Sequence, residues 1–181
     1  MKSFFLYICG ECSKNIIIMD TKTVYLLRHA KADWDLAAAK DIDRNIIPEG
    51  INRTKQIAQY LKENNVKIDL VISSPAIRAI QTANIIKEEL NLPEILIENR
   101  LYPCEGDGIF NTLIEQDDKI NSILIVGHNP GITYFAREYM YSDIDNIPTS
   151  GAVSCKYFTK SWSEFLMVDK KLKFVISPKK K

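Results

Sequence analysis

The chain has 181 residues, 46% of them hydrophobic and 26% charged, with a formal net charge of +1. That length fits one domain with a single sizeable core, and the composition is that of an ordinary globular protein, which excludes general disorder. Positive and negative residues are interspersed, so no face for nucleic acid announces itself, and no run approaches the length of a membrane-spanning helix.

Residues 1–20 fit the domain poorly. Lys2 followed by Phe4-Phe5-Leu6-Tyr7-Ile8 resembles the start of a secretory signal, but the apolar run is short and no small-x-small cleavage pattern follows. Met19 directly precedes the first strand, so translation from Met19 is the plainer account, with residues 1–20 an N-terminal extension and residues 21–178 one domain. Cys9, Cys12, Cys104 and Cys155 are too few and too scattered for a disulfide scaffold, which favours a reducing, cytoplasmic setting. Cys9-Gly10-Glu11-Cys12 has C-x-x-C spacing but lacks the second ligand pair that a zinc site needs.

Val24-Tyr25-Leu26-Leu27 is a continuous apolar run and reads as a buried central strand that ends in Arg28-His29. A polar passage, 31–48, follows with Asp33, Trp34, Asp35, Asp41, Asp43 and Arg44, long enough beside a strand end to be functional. Pro48-Glu49-Gly50 opens a helix with Ile51, Ile57, Ala58 and Leu61 on one face. Residues 68–73 form the second strand, and Ser73-Ser74-Pro75 supplies a cap and a first-turn proline for the next helix. Residues 94–98 read as a short strand, 102–108 as a loop, and 109–116 as a helix. Ser122-Ile123-Leu124-Ile125-Val126-Gly127 is another buried strand, ending in His128, and Pro130-Gly131 starts a helix running to about Met140. Beyond Gly151 three closely spaced strands are expected, 152–158, 162–168 and 172–177, as hairpins at a sheet edge. The alternation of strand and helix predicts an α/β three-layer sandwich, with a mainly parallel central sheet covered by helices and antiparallel edge strands near the C-terminus. The terminal Lys179-Lys180-Lys181, with Lys170, Lys171 and Lys173 nearby, reads as a solvated tail.

The chain has only two histidines, and both leave apolar strands. If those strands are neighbours, Arg28, His29, Arg78 and His128 converge at one mouth beside helix amino ends, which makes a pocket for a dianion. An imidazole among arginines keeps one nitrogen unprotonated at neutral pH and able to attack phosphorus. No aspartate cluster has magnesium-site spacing, and two histidines alone are a weak metal set, so metal-independent chemistry without a cofactor is expected.

Leu27-Arg28-His29-Ala30 resembles the signature of the histidine phosphatase superfamily (phosphoglycerate mutase-like), where Arg-His-Gly is commonest. Ser73-Ser74-Pro75-Ala76-Ile77-Arg78-Ala79-Ile80-Gln81-Thr82-Ala83 is similar to its second phosphate-binding motif, and Val126-Gly127-His128-Asn129-Pro130-Gly131 to its second-histidine motif. The Arg-His-Ala-Lys-Ala and Gly-His-Asn-Pro-Gly wording, with Pro148-Thr149-Ser150-Gly151-Ala152, resembles the SixA-type phosphohistidine phosphatase branch over residues 23–158. The resemblance implies His29 as nucleophile, Arg28 and Arg78 as phosphoryl-binding groups, and His128 as stabiliser of the transferring group. Arg44 matches an arginine in that branch's Asp-x-x-Arg-Pro-Leu-like passage and is expected as a weaker phosphate contact. Gly127 stands where many relatives carry serine, which removes one side-chain donor. Glu105 or Asp107 in the mid-chain loop is placed where many relatives carry a general acid.

The implied function is dephosphorylation of phosphohistidine on a partner protein. Alternatives are hydrolysis of a small phosphate monoester, so that the partner is a small phosphorylated substrate, and a non-catalytic phosphoryl-binding module. Metal binding through Cys9, Cys12 and the histidines is a weaker third.

Overall fold

The computed structural model describes residues 20–33, 40–103 and 105–179. Cys9, Cys12, Trp34, Asp35 and the last two lysines lie outside the described residues. Six strands form one sheet: β1 (Lys22–Arg28), β2 (Leu70–Ser73), β3 (Ile95–Ile97), β4 (Ser122–Gly127), β5 (Ala152–Tyr157) and β6 (Lys170–Ile176), in the spatial order β3-β2-β4-β1-β5-β6. The pairs β2–β3, β2–β4 and β1–β4 are parallel, whereas β1–β5 and β5–β6 are antiparallel. This is the mixed, mainly parallel α/β sheet expected from the alternation of elements.

Side-chain alternation along the central strands builds a core on each face of the sheet. Val24, Leu26, Ile123 and Ile125 point to one side, under α3 (Gly106–Ile114) and α4 (Gly131–Met140), with Ile109, Leu113, Ile132 and Phe135 packed on them. Leu27, Leu124 and Val126 point to the other, under α1 (Pro48–Glu63) and α2 (Ile77–Leu90), against Ile57, Leu61, Ala83 and Ile86. Every residue of β4 is buried, which is why its sequence reads as an unbroken apolar run rather than an alternating one. Gly50, in the first turn of α1, has no room for a side chain: a Cβ there would lie 2.4 Å from the Lys31 carbonyl oxygen. Among the described residues no helix is long and apolar enough to cross a membrane.

Three local expectations differ from the structure. Residues 162–168 are not a strand: Trp162–Glu164 is a turn of 3-10 helix, and Trp162 and Phe165 are both fully buried in one core. A strand would send residues three apart to opposite faces, whereas one helical turn sends both inward. Helix α3 starts at Gly106, three residues before the apolar stripe. Helix α2 starts at Ile77 with Ala76 at its N-cap and no side-chain cap, so Pro75 precedes the helix and Ser74 serves elsewhere.

Lys22 opens β1 and is 1% exposed, yet among the described residues no carboxylate lies at bonding distance from it. Its ammonium donates to the carbonyls of Asp118 and Ile120 and to Asn121 Oδ1, and lies 5.6 Å from the centroid of the Trp162 ring. These contacts clamp the turn that leads into β4. Replacing Lys22 by Met keeps the stem but removes the donor from partly buried acceptors, so Lys22→Met is expected to cost about 2 kcal/mol. Urea unfolding followed by fluorescence checks this through the midpoint.

Candidate active site

The carboxyl ends of β2, β4 and β1 lie side by side, and each delivers a polar residue into the same place. The parallel ladders run one rung past the strands: the His29 amide donates to the Gly127 carbonyl at 2.9 Å, and the Ser74 amide to the Val126 carbonyl at 3.0 Å. The His29 and His128 rings are thereby brought together, their centroids 4.8 Å apart. Arg78 comes from the first turn of α2, whose register is locked to β1 by Thr82. The Thr82 hydroxyl accepts from the Ala30 amide at 2.9 Å and donates to the Arg78 carbonyl at 2.6 Å.

His29 has a defined tautomer. Its Nδ1 lies 2.7 Å from the Ala30 carbonyl oxygen, which can only accept, so Nδ1 carries the proton and Nε2 keeps a lone pair. Burial pushes its pKa down to about 4, against the raising effect of the Ala30 bond, and the charges of Arg78, Arg28 and Arg44 lower it further. His128 is 5% exposed, and its Nε2 lies 2.8 Å from the Ser74 hydroxyl oxygen. Burial, then the neighbouring His29 and Arg78, push its pKa down to about 3. Both imidazoles are therefore neutral at physiological pH.

The three arginines are anchored by hydrogen bonds to backbone carbonyls and to Asp41. Arg28 donates from Nη1 to the Ile147 carbonyl at 2.8 Å. Arg78 donates from Nη2 to Asp41 Oδ2 at 2.8 Å and from Nη1 to the Asp41 carbonyl. Arg44 donates from Nε to the Asp33 carbonyl at 2.7 Å and from Nη1 to Asp41 Oδ1 at 2.9 Å. Among the described residues, five buried side-chain nitrogen or oxygen atoms lack a hydrogen-bond partner, and three of them are Arg28 Nε, Arg78 Nε and His128 Nδ1. All three belong to side chains gathered around His29.

A cavity of about 320 Å³ opens beside this group, lined by Asp41, Arg78, Tyr102, Pro103, Glu105, His128, Asn129 and Pro130. Glu105 reaches its rim from the N-cap of α3, whereas Asp107, two residues on in the first turn, is not among the lining residues. Arg28, His29, Arg78 and His128 are thus brought together, with Arg44 attached through Asp41.

Two participants had no assigned role at the level of sequence, and a third had a different one. Asp41, on the 3-10 turn Asp41–Asp43, joins Arg44, Arg78 and the Tyr102 hydroxyl, which donates to Oδ2 at 2.7 Å. The Tyr102 bond, followed by those of Arg44 and Arg78, holds the Asp41 carboxyl well below the usual carboxylate range. Tyr102 also lies edge-on to His128, with centroids 5.4 Å apart, and beneath the Arg78 guanidinium at 5.8 Å. Ser74, expected as a helix cap, instead meets His128. The only signal for Asp41 in the sequence was its place three residues before Arg44; a loop aspartate and a loop tyrosine carry no periodicity that would mark them.

Comparison with known proteins gives the same architecture. Residues 24–104 match the family model of the histidine phosphatase superfamily (branch 1). Over 136 residues the chain is 30% identical to the phosphohistidine phosphatase SixA of Escherichia coli strain K12, which spans 72% of this chain and 82% of that protein. The solved structure of the protein histidine phosphatase SixA complexed with tungstate aligns with a TM-score of 0.71 at 25% identity, covering 86% of this chain and 97% of the other. A structure from Agrobacterium tumefaciens described under the SixA name aligns with a TM-score of 0.75 at 25% identity, covering 87% and 98%. Matched to a SixA relative over 82% of that protein's length, and to the SixA fold with a TM-score of 0.71, the chain belongs to the histidine phosphatase superfamily as a SixA-like hydrolase.

Proposed function

We propose that this chain is a metal-independent phosphatase that acts through a phosphohistidine intermediate on His29 and removes phosphoryl groups from phosphohistidine on a partner protein. The observation that carries the reading is the lone pair on His29 Nε2, beside Arg28 Nε, Arg78 Nε and His128 Nδ1, three buried nitrogens that have no hydrogen-bond partner among the described residues. Nε2 attacks phosphorus, the bond from phosphorus to the leaving nitrogen breaks, and the departing imidazole takes up a proton. Water then attacks the phosphoryl group on His29, releasing phosphate and restoring Nε2. Arg28, Arg78 and His128 hold the phosphoryl oxygens through both steps, with Arg44 a weaker contact through the same carboxylate network. Donors fixed before the reaction begins stabilise developing charge without reorganising, which is the main need of phosphoryl transfer. The likeness to a relative named for phosphohistidine supports the choice of substrate. In this reading the catalytic unit is residues 21–178, and residues 1–20 lie outside it.

Glu105 on the cavity rim favours a second reading, hydrolysis of a small phosphate monoester. An alkoxide leaves poorly without a proton, and Glu105 is a carboxyl group at the cavity mouth. An imidazole leaving group needs such an acid far less.

Three outcomes test these readings. A brief incubation with labelled substrate should trap an acid-labile, base-stable phosphoenzyme that is absent in His29→Ala, whose turnover falls by about 10³-fold or more; a fully active His29→Ala protein overturns the proposal. Glu105→Gln should leave turnover of phosphohistidine protein within about 2-fold while slowing an alkyl phosphate about 10²-fold only if the monoester reading holds. Neutral histidines also predict the pH dependence of stability. With folded values of about 4 and about 3 against 6.5 unfolded, the unfolded chain binds more protons below pH 6.5. The contribution is complete above pH 6.5 and is lost as pH falls toward 4, on the order of 3 kcal/mol for His29. Urea midpoints measured from pH 7 to pH 4 should therefore fall, and fall less in His29→Asn.

A further inference from the structure

We propose that Ser74 is a positioning residue: its hydroxyl donates to His128 Nε2 and so fixes the second imidazole with its proton on Nδ1, presented to the phosphoryl group. The proposal rests on the phosphoryl-transfer reading for what that proton binds, but the tautomer itself is a property of the resting protein.

Counting hydrogens decides the direction of the bond. The Ser74 oxygen lies 2.8 Å from His128 Nε2 and also accepts from the Ala76 amide at 3.3 Å. Ser74 is fully buried and His128 is 5% exposed, so water does not complete either group. A hydroxyl has one proton and two lone pairs, and a neutral imidazole has one N–H and one lone pair. If Nε2 carried the proton and gave it to Ser74, the hydroxyl proton and the Nδ1 lone pair would both be stranded in the interior. If Ser74 donates to Nε2, a single group is stranded, the Nδ1–H, and Nδ1 is the atom of His128 found without a partner. One buried unsatisfied group is less costly than two. A stranded N–H also has a use that a stranded lone pair lacks, since it attracts a phosphoryl oxygen where a lone pair would repel it.

Ser74 is held for this task by the backbone rather than by a helix. Its amide is tied to the Val126 carbonyl, two residues before His128, and its carbonyl accepts from the Ser73 hydroxyl at 3.0 Å. The serine and the imidazole it orients thus sit on adjacent, hydrogen-bonded strands, β2 and β4. Because the pKa of His128 is pushed down to about 3, the ring is neutral at pH 7 and its tautomer is a real choice.

The chain contains two histidines, so untagged protein labelled with [15N]histidine shows four ring nitrogens, and His29→Asn assigns them. At pH 7 the wild type is expected to show His128 with a pyrrole-type Nδ1 and a pyridine-type Nε2. In Ser74→Ala that preference is lost, and kcat for an aryl phosphate falls about 10-fold with KM little changed. Ser74→Thr keeps the hydroxyl and is expected to keep both the Nδ1–H form and the rate. A wild-type spectrum with the proton on Nε2 overturns the proposal, and it does so even if Ser74→Ala fails to fold. Retention of the Nδ1–H form in folded Ser74→Ala overturns it as well. Loss of the phosphatase reading looks different: His29→Ala then stays active while the tautomer of His128 is unchanged.

Discussion

The bond from the His29 amide to the Gly127 carbonyl, at 2.9 Å, extends the parallel register of β1 and β4 beyond the ends of both strands. Its counterpart on the other side of β4 joins Ser74 to Val126. Neighbouring strands lie about 4.8 Å apart, and the two imidazole rings, carried on the next residues, stand 4.8 Å apart. The spacing of the two imidazoles thus matches that of the strands that carry them. Because β4 is buried on both faces, a slip of its register would turn Ile123 and Ile125 into the wrong core and cost the packing of two layers. Geometry at the site is thus guarded by hydrophobic contacts many residues away.

Electrostatics around His29 follow from the same placement. Arg28, Arg44 and Arg78 all act on the imidazole, and a cluster of like charges beside a buried ring would not hold together without an anion. Asp41 is that anion. It bonds Arg44, Arg78 and Tyr102 at once and sets the angle of the Arg78 fork while leaving Nε unused. A positively charged His29 would attract a phosphoryl anion more strongly but would have no lone pair to attack it. Burial resolves the conflict by keeping the ring uncharged and leaving charge attraction to the arginines.

Much of this was legible in the sequence because buried central strands write themselves as apolar runs with polar residues at their ends. Arg28, His29 and His128 sit at such ends, and the run lengths alone located them. Arg78 followed from being in the first helical turn after a strand. Ser74 was misread because Ser-Ser-Pro before a helix is also the pattern of a cap; local sequence does not say whether the hydroxyl turns toward its own helix or across the sheet. Asp41 and Tyr102 lie on connections separated by some sixty positions, |i−j| = 61, and their meeting depends on the tertiary fold alone. The turn at Trp162 was taken for a strand because a short apolar stretch near a hairpin has too few residues to separate a period of two from one of three.

The partnerless donors show how such a site coexists with a stable fold. Each buried donor left without an acceptor costs about 1–3 kcal/mol, and Arg28 Nε, Arg78 Nε and His128 Nδ1 together make a sizeable fraction of the net stability of about 5–15 kcal/mol usual for a domain. An apolar core directly below, from Leu26, Leu27, Ile125 and Val126, each fully buried, supplies the excess that lets the site remain unsatisfied. In the proposed reaction a phosphoryl group would return that cost on binding, and most where its oxygens carry most charge. Interactions that strengthen toward the transition state lower the barrier, whereas those equal in the ground state only tighten binding. Donors already aimed, already desolvated and without partners of their own are of the first kind. The instability written into the resting site is, on this account, the source of its catalytic power.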